Sequence, residues 1–308
     1  MSHDIVILGV FVADTAYRAA RLPRMGETLI GSGFALGPGG KGSNQAVAAA
    51  RAGGTVGYLT RLGDDDFGAM AREIWAEAGV TSLATVDPEG FTGAAFVFVD
   101  EATGQNAIII SPGVGGEISA ADVVARADLI RGAKVVMTQL EQPLDAAEAM
   151  LRTGRTGGAI TILNPAPAAD VPDALLGLCD YVTPNETEAE GLTGLEVTDL
   201  ASAEAAARAL LDRGVAKAAI LTLGEKGALW VDHAREFHTR PMDAGPVVDT
   251  TGAGDAFNGG LATALAEGRG PEEAMRFATA TAALSVTRHG TARAMPTRPE
   301  IERLLTGA

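Results

Sequence analysis

Twelve residues late in the chain, Asp249-Thr250-Thr251-Gly252-Ala253-Gly254-Asp255-Ala256-Phe257-Asn258-Gly259-Gly260, combine small residues, hydroxyls and two carboxylates. Val247 and Val248 lead into the glycine turn, and residues 256–267 read as a helix. Gly252 and Gly254 let the backbone come close to a ligand. With Ala253 between them, they aim consecutive N–H groups toward one point at a helix N-terminus, which suits an anion. Asp255 stands at the mouth of that hole, a carboxylate beside a place suited to negative charge in transit. Helix capping is the competing reading, because Asp is common at helix starts. The stretch alone leaves both open.

Four further polar turns occupy places where a ligand could sit. Gly37-Pro38-Gly39-Gly40-Lys41-Gly42-Ser43-Asn44 opens an Ala-rich helix over 45–51. It is not a P-loop, since Gly42 rather than Ser or Thr follows Lys41 and no glycine stands at the required distance upstream. It offers backbone N–H groups, one ammonium and one amide, which suit a polyhydroxyl ligand as well as an anion. Glu141 follows a strand over 134–140 and reads equally as a surface residue. Asn185 and Glu188 have the spacing of a capping box, and that reading is favoured for them. Thr222, Gly224 and Gly227 mark either a simple hairpin or backbone laid against a nucleotide. His3, His233, His238 and His289 show no metal-ligand spacing, and Cys179 is the single cysteine, so no thiolate zinc site is expected. The chain carries neither a Gly-x-Ser-x-Gly elbow nor a Gly-x-Gly-x-x-Gly after its first strand, which removes support for hydrolase and dinucleotide readings.

These turns need elements to hold them. Residues 4–14 (DIVILGVFVAD) form a continuous apolar run that predicts one buried central strand, with Asp14 at its C-terminal end, where open α/β sheets bind ligands. Residues 15–36 contain short semi-alternating pieces (28–30 and 33–35). A second such patch, 92–99 with 105–110 across the turn 100–104, completes the pattern of a separate small antiparallel sheet able to act as a lid. The expected lid segments are about 15–36 and 92–110. From residue 55 onward strands (55–60, 134–140, 159–163, 179–183, 218–223) alternate with helices (67–78, 120–130, 144–153, 202–213). That alternation predicts a mostly parallel sheet with helices on both faces, in a single domain over 1–308.

At 308 residues and 47% apolar composition the chain has material for one large core. A net charge of −15 argues against nucleic acid or an acidic membrane surface as partner. One cysteine, no segment able to span a bilayer and no basic signal-peptide region lead to an expected cytoplasmic location.

Gly39–Ala46 (GGKGSNQA), Asn164–Pro167 (NPAP), Thr183–Glu190 (TPNETEAE), Thr222–Gly227, Asp249–Asn258 (DTTGAGDAFN) and Val286–Gly290 (VTRHG), in this order, resemble the ribokinase (PfkB-type) family of carbohydrate kinases. The resemblance covers essentially the whole chain. It implies a three-layer αβα sandwich with a β-sheet lid, using ATP, Mg²⁺ and K⁺, and paired into a homodimer through the lids. Asp255 would take the proton of the attacking sugar hydroxyl, with Gly252, Ala253 and Gly254 forming the anion hole. Val12, Asp14, Gly40, Lys41, Gly42, Ser43, Asn44 and Glu141 would surround the sugar. Asn185 and Glu188 would stand near the phosphates and Mg²⁺. Thr222, Gly224, Gly227, Gly254 and Thr279 would bind the nucleotide. Asp249, Thr251, Ser285, Arg288, Gly290 and Ala294 would form a monovalent-cation site, mostly through backbone carbonyls. The sequence departs from the family at Val12, where an asparagine is usual, and at Ala294, where a serine is frequent. The expected reaction is phosphorylation of the primary (5-) hydroxyl of D-ribose. The alternatives are another sugar or a nucleoside as acceptor, and a catalytically idle sugar-binding protein.

Overall fold

The computed structural model describes residues 3–307. β1 (Ile5–Leu8) is buried along its whole length, as its uninterrupted apolar residues require. The apolar run does not continue as one strand. Gly9, Val10 and Phe11 turn the chain out of the sheet, and β2 (Val12–Ala19) begins a different one. A Cβ on Gly9 would lie 2.6 Å from Gln139 Oε1 and 2.9 Å from Gly42 Cα, so this bend needs glycine. Asp14 therefore sits on a lid strand rather than at the end of a central strand.

β3 (Gly33–Gly39) runs antiparallel to β2. Residues 28–30, where the sequence predicts a strand piece, are irregular. α1 (Lys41–Arg51) starts four residues before the expected 45, so Lys41, Gly42, Ser43 and Asn44 are its first turn and not a loop. The chain continues through β4 (Val56–Leu59), β5 (Arg61–Gly63), α2 (Asp66–Ala78), β6 (Thr81–Ser82) and β7 (Thr85–Asp87) to β8 (Thr92–Asp100) and β9 (Asn106–Gly113). The lid has the order β3-β2-β8-β9. Its central β2–β8 pair is parallel, which makes it a mixed sheet where an antiparallel one is expected.

Two short helices, α3 (Ala120–Val124) and α4 (Ala127–Arg131), replace the single helix expected over 120–130. Then follow β10 (Val135–Thr138), α5 (Leu144–Thr156), β11 (Ile160–Leu163), α6 (Asp173–Leu176), β12 (Tyr181–Val182), α7 (Glu186–Thr193), α8 (Leu200–Asp212), β13 (Ala218–Thr222), β14 (Ala228–Asp232), β15 (Glu236–Thr239), α9 (Ala253–Ala266) and α10 (Pro271–Ser285).

The large sheet has nine strands in the order β15-β14-β13-β12-β11-β10-β1-β4-β6. It is parallel from β6 to β13, and β14 and β15 close it antiparallel. Residues alternate between its two faces. Ile5, Ile7, Met137, Ile162 and Ile220 pack under α1, α9 and α10, whereas Val6, Leu8, Val136 and Leu221 face the opposite helix layer. The α/β fold class expected from sequence is the one observed. The strand order reverses between β1 and β10, and the crevice at such a switch point is where open α/β sheets receive ligands. No helix among the described residues is long and apolar enough to cross a membrane.

Candidate active site

A cleft of roughly 1200 Å³ lies between the lid and the switch point. Val10, Val12 and Asp14 enter it from the β1–β2 passage, and Gly40, Lys41 and Asn44 from the start of α1. Glu141 comes from the segment after β10, and Asp249, Thr251, Gly252 and Asp255 from the turn into α9. Segments scattered from residue 10 to residue 255 thus meet because each leaves an element at the same end of the fold. His289, Gly290 and Arg293 complete the wall.

α9 begins at Ala253, three residues earlier than the expected 256, with Gly252 as its N-cap at φ 78°. That left-handed conformation favours glycine. Gly254 differs, because a Cβ there would meet nothing within 4 Å. Protein packing does not demand glycine at 254, whose backbone borders open space. Asp255 does not cap the helix, since the N-cap receives no side-chain bond. Its Oδ1 instead accepts from Gln45 Nε2 and its Oδ2 from Asn44 Nδ2, both at 3.0 Å. The capping alternative is therefore excluded for Asp255.

Burial governs the electrostatics. Desolvation raises the carboxyl of Asp255, while the Lys41 charge and the amides of Asn44 and Gln45 pull it down. Desolvation also pushes Asp14 up to about 6 and Glu141 up to about 7, with Lys41 opposing the latter shift. These carboxylates are acceptors spaced around one ammonium, a lining that suits a neutral polyol. Gly39 makes room for Asp14, because a Cβ there would lie 2.4 Å from Asp14 Oδ2.

Not every expected sugar contact reaches the cleft. Ser43 is fully buried and accepts from Trp75 Nε1 at 2.8 Å, on the side of α1 facing α2. Gly42 packs on Gly9 and beside Gln139. Both are structural neighbours of the site. Val12 does line the cleft, but it is 5% exposed and presents only methyl groups.

The expected nucleotide residues form a second group. Asn185 Oδ1 accepts the Glu188 N–H at 2.8 Å and Glu188 Oε2 accepts the Asn185 N–H at 2.9 Å, so the capping box is real. Asn185 also bridges to Thr222, at the end of β13. Gly224 and Gly227 have φ of 53° and 91° in the β13–β14 hairpin. Thr279 lies buried on α10, and its Oγ1 has no hydrogen-bond partner among the described residues.

In the expected cation site, Asp249 Oδ1 accepts the Thr251 N–H and its Oδ2 the Gly290 N–H, both at 3.0 Å. Ser285 Oγ donates to the Ala282 carbonyl, Arg288 pairs with Glu300, and Ala294 is a buried methyl. Arg288 and Ala294 have no side-chain oxygen for a cation and fit a role only through backbone carbonyls, whereas Ser285 Oγ, a donor in its one bond, keeps its lone pairs. Among the described residues no group of three or more His, Cys, Asp or Glu is arranged to hold a metal ion.

Sequence reasoning missed a buried polar file behind Asp255. Gln45, Gln139, Asn164, Thr183 and Asn258 are all buried, and they connect strand ends to α9. The available signal was a set of polar residues inside otherwise apolar stretches, such as Gln139 in KVVMTQL.

A doubly wound sheet with a β lid, closing over a buried carboxylate at a glycine-initiated helix, defines a small-molecule phosphotransferase. The family model described as pfkB family carbohydrate kinase matches residues 2–298, and the chain belongs to that family. It is similar to a Haemophilus influenzae ribokinase, with 39% identity over the full length of both chains. It is 37% identical to a Salmonella typhi deoxyribokinase, over 98% of this chain and 99% of the other. The structure of Arabidopsis thaliana ribokinase complexed with ribose and ATP superposes with a TM-score of 0.90, covering 99% of each chain at 32% identity.

Proposed function

We propose that this carbohydrate kinase transfers the γ-phosphoryl group of ATP to the primary (5-) hydroxyl of D-ribose. The observation that carries this reading is Asp255: a buried carboxylate held by two amides, in the first turn of α9, bordering the cleft beside the open backbone at Gly254. As the sugar oxygen bonds to the γ-phosphorus, its proton passes to Asp255. The bond from that phosphorus to the bridging oxygen breaks, and ADP leaves. Phosphoryl transfer rests on positioning and charge stabilisation more than on covalent chemistry. General base assistance of this kind contributes typically about 100- to 10 000-fold.

In this reading Gly252, Ala253 and Gly254 present N–H groups to the transferred phosphoryl group, the Ala253 N–H giving up its 3.2 Å bond to the Thr250 carbonyl. Asp14, Lys41, Asn44 and Glu141 hold the sugar hydroxyls together with the backbone at Gly40. Asn185, Glu188, Thr222, Gly224, Gly227 and the unpartnered hydroxyl of Thr279 serve the nucleotide. Mg²⁺, arriving with ATP, would neutralise phosphate charge near Asn185 and Glu188, whose capping box leaves one Glu188 oxygen free of that bond. K⁺ would be held by Asp249 and the carbonyls of the loop ending at Ala294, an all-oxygen donor set suited to a hard cation. The catalytic unit spans residues 1–308 with the lid as its mobile part. Tyr17, Phe34 and Ile109 leave apolar surface uncovered on the lid, which supports pairing of two copies through it.

Val12 favours a second acceptor, 2-deoxyribose. A methyl-lined wall leaves a hydroxyl directed at it unpaired, whereas a deoxy position loses nothing there. The test is ATP turnover in Mg²⁺ and K⁺ against ribose, 2-deoxyribose, fructose and adenosine, with wild type and Asp255→Asn. Preference for ribose, lost in the variant, supports the reading. Preference for 2-deoxyribose moves the second reading to the front. Undiminished turnover by Asp255→Asn removes the base assignment.

A further inference from the structure

Behind Asp255, out of reach of the cleft, the buried amides follow an order that allows one orientation. The Thr183 backbone carbonyl can only accept, and Asn164 Nδ2 donates to it at 2.9 Å. Asn164 Oδ1 therefore faces Gln45, whose Nε2 donates to it at 3.0 Å. The second hydrogen of Gln45 Nε2 goes to Asp255 Oδ1 at 3.0 Å. On the other side, Gln139 Nε2 donates to Gln45 Oε1 at 2.6 Å. A flipped Gln45 would set its carbonyl oxygen against the Asp255 carboxylate and against Asn164 Oδ1. Each of these is a repulsive buried contact. Gln45 and Gln139 are fully buried, and neither they nor Asn164 is among the residues lining the cleft.

We propose that Gln45, oriented by Gln139 and Asn164, is a positioning residue for phosphoryl transfer that aims the Asp255 carboxylate and holds it in its acceptor state. The inference rests on the reading of Asp255 as base. Asn44 supplies the second bond to that carboxylate but also lines the cleft, so Gln45 is where positioning separates from substrate contact. The donor matters because burial raises the Asp255 carboxyl and the amides counter it. The charged groups facing Asp255 are Lys41 from α1, Glu141 from the segment after β10 and Glu188 from α7, with the Tyr58 phenol from β4 nearby. Among the groups that pull its pKa down, Gln45 stands outside the cleft.

The experiment compares Gln45→Met, Gln139→Met and Asp255→Asn, measuring kcat against pH at saturating ATP and ribose, with ribose affinity by calorimetry. Saturation keeps the titration of Glu141 in the free enzyme out of the kcat profile. In Gln45→Met the acid limb should move to higher pH. At neutral pH kcat should fall about 10- to 100-fold, as expected for one lost bond to a charged group, and recover as pH rises. Ribose affinity should stay within about twofold, since no sugar contact is removed. Gln139→Met, which touches neither Asp255 nor the cleft, should move the limb the same way by less. It serves as the test if Gln45→Met does not fold. A folded variant whose acid limb stays in place, or whose kcat falls equally at every pH, overturns the proposal. If Asp255→Asn keeps full turnover, the base assignment fails instead, which separates the two ideas.

Discussion

Glu141 Oε2 accepts the backbone N–H of Lys41 at 2.8 Å, across 100 residues of sequence. Lys41 is the first residue of α1, and Gly40 before it offers no side-chain cap. A carboxylate from another part of the chain thus satisfies an orphan N–H and sits favourably at the helix dipole. Gly40 is confined to glycine at φ 88°, where a Cβ would lie 2.3 Å from the Val10 carbonyl oxygen. The helix carrying Lys41, Asn44 and Gln45 is therefore locked to the segment after β10 by the same carboxyl that faces the cleft.

The protonation of Glu141 should show in stability. Its carboxyl rises from 4.5 unfolded to about 7 folded, chiefly by burial. The folded state holds this proton more tightly, so the stabilisation is complete below the unfolded value and lost as pH climbs through about 7. Asp14, at about 6, acts in the same direction. Denaturant unfolding of the ligand-free protein at pH 5 and pH 8 should show Glu141→Gln removing on the order of 2 kcal/mol of the difference. Equal differences in wild type and variant would refute the assignment.

Gly254→Ala should separate folding from function. A Cβ there meets no protein atom within 4 Å, and the position lies inside α9. Stability should hold or rise by up to about 1 kcal/mol, because Ala is the better helix former. Turnover should drop about tenfold or more if the phosphoryl group must approach this backbone. Thermal melts and kcat measured together check both halves, and unimpaired turnover would move the anion hole elsewhere.

Val12→Asn introduces an amide at a wall position that is 5% exposed. The ratio of kcat/KM for ribose over 2-deoxyribose should rise about tenfold. A ratio that does not change would place the discriminating hydroxyl away from Val12.

Asp249 ties the turn before α9 to Gly290 through two backbone N–H groups. Exchanging K⁺ for tetramethylammonium should depress the wild-type rate, and Asp249→Ala should abolish the difference between the two cations. A wild-type rate indifferent to the exchange would remove K⁺ from the mechanism.

Sequence alone determined the fold class, because β/α alternation and β-branched buried runs leave few packings other than a doubly wound sheet. It also determined the likeness to carbohydrate kinases, because GGKGSNQA, NPAP and DTTGAGDAFN are local strings. Helix starts were misplaced at α1 and α9 because small and polar residues read as loop by propensity, yet Glu141 and Trp75 hold the first turn of α1 and the amides of Asn44 and Gln45 hold Asp255 in that of α9. The split of residues 4–14 between two sheets was hidden as well. Apolar periodicity is the same on either side of Gly9, and only the close approach of Gly42 and Gln139 shows that the chain bends there. Tertiary structure also decided which motif residues face the ligand. Ser43 and Asn44 are neighbours in sequence, but a helix turns one toward Trp75 and the other toward Asp255. The amides of Gln45, Gln139 and Asn164 converge from three elements up to 119 residues apart. No local pattern encodes that convergence, because it arises only when the strands around the switch point bring their C-terminal ends together.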